Sequence, residues 1–307
     1  MNILNFFASK QGRFTNFRSS IPLIPFALSF LIAFLTIFFR KFYYNSQIWS
    51  LYPEFDGVDE KLSIIIVTHA PRKKFIRTQL KRIAFGQVPH LKEIFIYWAD
   101  RKNPLPDLSF FGFKLNDGHI PVNILPTTKE FVSERFKPPQ NLTTQTILAM
   151  DDDLLISGSE LDRAFVVYIK NNFTNRIFGL RTRSCPSGHY RIFEYNKPYT
   201  MALTNFAFLN VKMLEAFNKP EYSKMVDYIT ENRNGEDILM NFIIAKEFQL
   251  PPIVMKLDVL HLGIFDGFSA KSGHLDKRSN CCKKFSEFFG ENLVEKYEMN
   301  SFLPKTW

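Results

Sequence analysis

The chain has 307 residues, 39 of them Lys or Arg against 30 Asp or Glu, with 46% hydrophobic and 22% charged side chains. That composition excludes wholesale disorder and collagen-like or low-complexity chains, and the length gives a core large enough to fold without a disulfide or metal. The net charge of +9 is uneven: residues 1–41 carry five bases and no acid, leaving 34 bases against 30 acids beyond them, too mild a balance for a nucleic-acid partner.

Ile21 to Phe39 contains 19 residues without a charge, followed directly by Arg40, Lys41, Tyr43 and Tyr44. About 20 apolar residues in a helix cross a hydrocarbon layer of roughly 30 Å. The run is longer than a signal-peptide core and no small-residue cleavage site follows it, so a retained anchor is the better reading. Pro22 and Pro25 sit near its start, where helix N–H groups lack partners anyway. Residues 1–20 then read as a cytoplasmic tail, 21–39 as a single transmembrane signal anchor, 40–61 as a stem and 62–307 as the main domain. Three bases before the anchor and two after it bias the N-terminus weakly toward the cytoplasm. The sequons at Asn141 and Asn172 are compatible with a lumenal domain.

Within that domain, Ser63–Val67 is a β-branched run of the kind buried on both faces of a parallel sheet. Lys73 to Phe85 has helical spacing, with Phe75, Ile76, Leu80 and Ile83 as its apolar set. Glu93–Trp98, Val122–Leu125 and Thr146–Met150 follow as strands. Ser159 is the expected cap of a helix reaching about Lys170, and Ile177–Leu180 resumes as strand. Strands alternating with helices give an α/β domain with a mostly parallel sheet. Ligands of such sheets bind at the strands' carboxyl ends.

Asp151, Asp152 and Asp153 follow the strand ending at Met150. Three adjacent carboxylates repel, and a hard divalent cation bridging them to a diphosphate would relieve that repulsion. Gly235-Glu236-Asp237 opens an amphipathic run; Asp237 is either a carboxylate set against substrate or a favourable acid at a positive helix end. His274–Ser279 is a basic cluster in a region rich in Gly and Ser, read as a loop, and Arg278 has the fork that suits a diphosphate. Arg72 after the first strand and Arg135 before the fourth could reach the same ligand. Cys185, Cys281 and Cys282 lack zinc spacing. Cys185 bridged to one of the pair and three free thiols both remain open.

Taken together, Ile147–Asp153, Gly235–Ala245 and His274–Ser286, with Trp98, Ile120-Pro121-Val122 and Leu203–Phe208 in order, resemble the exostosin-like domain of glycosyltransferase family 64 over about residues 62–303. The Glu236-Asp237 form and Lys277-Arg278-Ser279 are closer to the plant-type branch. The resemblance implies a retaining transferase of the GT-A fold that uses a nucleotide-sugar and Mn²⁺ or another divalent cation. By matching position, Asp151 and Asp152 contact the nucleoside and sugar, and Asp153 binds the metal. Arg72, Asp100, Arg135 and Arg278 belong to the donor site. Asp237, with Glu236 beside it, faces the anomeric carbon and the acceptor. The anchor and stem suit a type II enzyme of the Golgi or endoplasmic reticulum acting on a glycan or glycolipid.

Three positions depart from the family pattern. Ala99-Asp100 follow Trp98 where Asn is frequent. Glu130 replaces an Asn. Gly235 replaces a Cys, so the family's bridge to Cys281 cannot form. Glu130 and Ala99 favour the rival reading, a non-catalytic lumenal glycan- or nucleotide-binding protein with the same fold; the intact Asp151–Asp153, Asp237 and Arg278 oppose it.

Overall fold

The computed structural model describes residues 57–85, 88–114, 118–192, 198–263 and 273–299, all within the compact unit Glu54–Trp307. The expected anchor at 21–39 lies outside the described residues; among those described, no helix is long and apolar enough to cross a membrane.

The β-branched run forms β1 (Leu62–Thr68), an interior strand of a seven-stranded sheet. It pairs in parallel with β2 (Leu91–Trp98) and β4 (Thr146–Asp151), and β3 (Val122–Pro126) adds in parallel beyond β2. On the other side, β10 (Phe206–Asn210) runs antiparallel to both β4 and β6 (Phe178–Gly179), and β11 (Ile253–Val254) closes that edge parallel to β6. Between β4 and β10 in chain order lie β5 (Leu154–Leu155), β7 (Thr182–Ser184), β8 (Arg191–Ile192) and β9 (Met201–Ala202). The last three make a small antiparallel sheet, while β5 pairs with β12 (Leu260–His261).

Both faces of the main sheet are covered, which is why its strands read as unbroken apolar runs. On one side Phe208 of β10 meets Phe165 and Tyr168, at ring-centroid distances of 6.2 and 5.6 Å, from α2 (Gly158–Lys170). α1 (Lys73–Ile83) buries Ile76, Gln79, Leu80 and Ile83 at helical spacing. The opposite face, with Ile65, Ile147, Ala149 and Ala207, belongs to the largest core. That core is supplied by α3 (Val211–Phe217), α4 (Ser223–Asn232), α5 (Glu236–Phe248) and α6 (His274–Phe289). Every residue of α5 from Asp237 to Ala245 is buried, so this helix is the axis of that half of the domain. Each fully buried Ile or Phe contributes roughly 1.5–3 kcal/mol, enough for the two cores to fix the sheet between them.

Two expectations are corrected. α2 is capped by Ser157, whose side chain accepts from the Glu160 amide, and not by Ser159, which lies inside the first turn. The segment from His274, expected as a loop, is the sixteen-residue α6. Its buried residues, Arg278, Cys281, Cys282 and Phe285, recur at spacings of three and four. That stripe is hidden among charges and opens with an arginine, so it lacks the look of an apolar face. Cys282 of α6 is bonded to Cys185, with the Cα atoms 5.9 Å apart, and this ties the helix to the segment after β7. Cys281 is a free, buried thiol.

Candidate active site

The register of the parallel strands brings their carboxyl ends level. Val67 of β1 lies opposite Asp151 of β4, and Thr68 lies opposite Trp98 of β2. The acidic triplet therefore leaves the sheet beside the turn that carries Arg72. Thr68 Oγ1 donates to Asp152 Oδ2 at 2.6 Å. Arg72 Nε and Nη2 donate to Asp152 Oδ1 at 3.0 and 2.7 Å, and Nη2 also reaches Asp153 Oδ2 at 2.7 Å. Arg135, almost fully buried, donates to Asp151 Oδ1 at 2.5 Å and to the Thr204 carbonyl at 3.2 Å. Burial raises the Asp151 carboxyl above its ordinary pKa; Arg135 pulls it down, Asp153 and Asp152 push it up, and the balance stays upward.

The triplet's repulsion is thus largely met by two arginines. Repulsion alone no longer argues for a metal, and the donor atoms have to. Among the described residues no three His, Cys, Asp or Glu side chains converge on one point. Beside Asp153, however, lies His261 of β12. Leu262 N donates to the Asp153 carbonyl at 2.8 Å, and a Cβ on Gly263 would overlap Asp153 Oδ2, so only glycine admits the carboxylate there. His261 Nε2 is shut off from water and has no hydrogen-bond partner. Burial first, then Arg181, lowers the pKa of the ring against the pull of Asp153. An Asp153 carboxylate oxygen fits a hard divalent cation that takes its other ligands from a diphosphate and water.

The second acid group stands on α5. Asp237 is an ion-pair partner of Arg278 from α6, with both side chains buried. It is therefore not merely a favourable acid at a helix end, and Arg278 is not a solvated surface base. Arg278 Nη1 also donates to Asn234 Oδ1 at 3.3 Å, and its guanidinium lies 4.2 Å from the centre of the Tyr190 ring. Tyr190 is held in turn by Arg183 Nε, which donates to its hydroxyl at 2.6 Å. Asp237 Oδ1 and Arg278 Nε have no partner. Glu236, beside this pair, has its pKa pushed up to about 7, by burial first and then by Asp237; Arg278 and Arg135 act against the rise. Glu236 therefore stands within electrostatic reach of the Asp237–Arg278 pair and of Arg135, the partner of Asp151.

The three departures from the family pattern acquire physical explanations. Asp100 braces a loop: its carboxylate accepts from Ala70 N, Lys102 N, Asn103 N and Asn103 Nδ2 at 2.9–3.2 Å. Slight burial opposes ionisation, but these bonds win and hold its pKa low. Glu130 Oε1 accepts from Arg101 N at 2.8 Å, so its charge is spent on that same loop. Gly235 has φ +90°, and a Cβ there would lie 2.5 Å from Cys281 Sγ.

Several supporting residues escaped the reading of the sequence. Gln79 of α1 donates from Nε2 to the carbonyls of Asp151 and Leu154 at 3.0 and 2.6 Å, pinning the acidic turn. Its signal was a lone amide on the buried face of an amphipathic helix. Asn241, one turn after Asp237, exchanges hydrogen bonds with both backbone groups of Ala202 at 2.9 and 3.0 Å, locking α5 to β9. Tyr190 and His261 carried no local signal at all.

The fold is an α/β sheet with carboxylates and arginines gathered at its strand ends. The model of the glycosyl transferase family 64 domain matches residues 62–303, and the chain belongs to that family. Its relatives include the Exostosin-like-3 homolog of Caenorhabditis elegans, 25% identical over 80% of this chain and 30% of the relative. Glucosamine inositolphosphorylceramide transferase 1 of Arabidopsis thaliana is 26% identical over 84% of this chain and 34% of the relative. Glycosylinositol phosphorylceramide mannosyl transferase 1 of the same plant is 26% identical over 67% and 66%. The chain thus spans from about a third to just under two thirds of these proteins. The two plant relatives agree with the plant-type form of its motifs.

Proposed function

We propose that the chain is a retaining glycosyltransferase of GT-A arrangement, moving a hexose or N-acetylhexosamine from a UDP- or GDP-sugar to a glycan or glycolipid. The observation that carries this reading is two acid–arginine groups, each held at its own position by the fold, with Glu236 within electrostatic reach of both. The Asp151–Asp153 array, with Arg72 and Arg135, stands at the strand ends, and the Asp237–Arg278 pair stands on the buried helices.

In this reading Arg72, Arg135 and Arg278 turn part of their hydrogen bonding to the donor's diphosphate and stabilise its departure. The bond from the anomeric carbon to the diphosphate breaks, and the bond to the acceptor oxygen forms on the same face. The acceptor's proton leaves with the departing phosphate oxygen. Asp237, whose Oδ1 is unengaged, stabilises the positive charge that develops on the sugar. Asp151 and Asp152 position nucleoside and sugar. A divalent cation such as Mn²⁺, held by Asp153, would supply Lewis-acid charge at the diphosphate.

The names of the two plant relatives support an inositolphosphorylceramide-type glycolipid as acceptor. A type II membrane topology through residues 21–39, with the domain in the lumen of the Golgi or endoplasmic reticulum, fits the Cys185–Cys282 disulfide and the exposed sequon asparagines Asn141 and Asn172. The test is donor hydrolysis and transfer by the purified full chain with Mn²⁺, using UDP- and GDP-sugars in parallel, with the product anomer assigned by NMR. Nucleotide binding without hydrolysis or transfer from any donor would make the chain a binding protein instead. An inverted product would overturn the assignment of Asp237.

A further inference from the structure

Helix α1 carries Lys73, Lys74, Arg77, Lys81 and Arg82 and no acid. Beyond residue 41 the chain has 34 bases against 30 acids, so this one helix holds more positive charge than that whole excess. Its buried side chains, Ile76, Gln79, Leu80 and Ile83, take one side, and at about 100° per residue the five bases fan over the other. Like charges on successive turns destabilise a helix unless an anion meets them. Elsewhere on the surface the protein supplies one: Lys129, Lys219 and Lys296 pair with Asp227, Glu247 and Glu291 at 2.5–2.9 Å. Among the described residues none of the five bases of α1 has an acidic partner. Lys73 lies instead 4.2 Å from the centre of the Phe110 ring.

The shape and the borders of this face narrow the anion it suits. A hollow of about 460 Å³ runs along Lys73, Lys74, Arg77 and Lys81. Both ends of the basic face are apolar. Phe85, two residues past the helix, is 45% exposed and stacks on Phe113 at 5.4 Å. Leu105, 48% exposed, stands between Pro104 and Pro106, which line a second hollow together with Lys73. Bases bordered by exposed aromatic and aliphatic side chains match a lipid surface, with its phosphates and its acyl boundary. A soluble polyanion would use the bases alone.

We infer that this face of α1 docks the domain on an anionic lipid leaflet, its lysines and arginines on lipid phosphates and Phe85 and Leu105 toward the acyl boundary. The inference rests on the glycolipid reading above and deepens it. Helix α1 starts directly after Arg72, which holds Asp152, so a leaflet against this helix brings its headgroups to the side of the donor site on which Arg72 stands.

The purified full chain is mixed with nanodiscs of phosphatidylcholine, alone or with phosphatidylinositol, and its lysines are mildly acylated and read by peptide mass spectrometry. Lys74 and Lys81 should react severalfold more slowly with the anionic discs, exposed Lys224 of α4 should not change, and the protection should fade at high salt. Arg77→Gln with Arg82→Gln keeps both reporter lysines and should lose most of the protection, at about fivefold per base, with donor hydrolysis unchanged. Equal labelling of the wild-type chain in both discs overturns the inference, and this comparison decides the matter even if the double variant fails to fold. Protection given equally by soluble glycerophosphoinositol overturns the leaflet in favour of a pocket for one phosphate. Protection by heparin with none by phosphatidylinositol overturns it in favour of an anionic glycan. Donor hydrolysis and transfer on the same discs separate this result from the glycolipid reading: protection without a lipid product supports the docking face and removes the lipid acceptor, and a lipid product without protection removes the docking face alone.

Discussion

The two acid groups are built by opposite means. At the strand ends, Asp151, Asp152 and Asp153 are consecutive, yet their carboxylates divide among Thr68, Arg72 and Arg135, and at least one oxygen of each has a hydrogen-bond or ion-pair partner. On the helices, Asp237 and Arg278 are 41 residues apart and form one buried pair with an unpartnered atom on each side. The first group distributes its charge over several partners. The second concentrates two charges in the interior, where removing either one leaves the other uncompensated. A cluster of the first kind tolerates the loss of one member; a pair of the second kind does not.

The largest test of this contrast is Asp237→Asn. Turnover should fall by about 100-fold or more, because the lost charge acts where positive charge develops, while nucleotide affinity changes only severalfold. The variant should also melt earlier, since breaking a buried pair costs about 3–5 kcal/mol. Kinetics are therefore measured below the variant's transition, and near-wild-type turnover there would remove Asp237 from the chemistry.

Next in size is the packing that holds the helix pair. Gly235→Ala should cost about 2–4 kcal/mol, combining a positive φ with crowding against Cys281. Gly235→Cys should lose less under oxidising conditions, because the new thiol can bond Cys281 instead of clashing with it. Melting of both variants with and without reductant, read against the wild-type chain, checks this. Equal melting of the Ala and Cys variants in oxidising buffer would contradict it.

The strand-end group should respond to damage in function but not in stability. Asp153→Ala is expected to weaken Mn²⁺ at least about tenfold. Its unfolding free energy should stay within about 1 kcal/mol of wild type, because Arg72 keeps Asp152 and the triplet loses a repulsion. A large fall in stability with metal binding intact would reverse the contrast drawn between the two groups.

A further test concerns Glu236, within electrostatic reach of both Asp237 and Arg135. Its folded-state pKa of about 7 stands above the ordinary 4.5, so the proton favours the folded chain. That stabilisation is full below the unfolded value and is lost as pH rises toward 7. Glu236→Gln should flatten this part of the stability profile, measured by denaturant unfolding at several pH values between about 4.5 and about 7.5. An unchanged slope would assign the pH dependence elsewhere.

Local pattern was enough for much of this protein. β1, β2, β3 and β4 announce themselves by β-branched and aromatic runs, α1 by its spacing, α2 by a serine near its start, and the acidic triplet by its place after a buried strand. Those signals are legible because backbone period and burial act between near neighbours in sequence. The motif order from Ile147 to Ser286 supplied the family and the list of candidate residues. What it could not supply was partnership. The bonds from Arg72 to Asp152, from Arg135 to Asp151 and from Arg278 to Asp237 span 80, 16 and 41 residues. Cys185 joins Cys282 across 97. Helix α6 escaped notice because its buried stripe contains an arginine, whose burial makes sense only once Asp237 is opposite it. Gln79, Tyr190 and His261 are ordinary residues in sequence and become structural or chemical ones only where the sheet and the buried helices bring distant backbone, aromatic and carboxylate groups within hydrogen-bonding or electrostatic reach. Charge and polarity in a protein interior take their meaning from the nearest partner in space, and that neighbour is chosen by the fold.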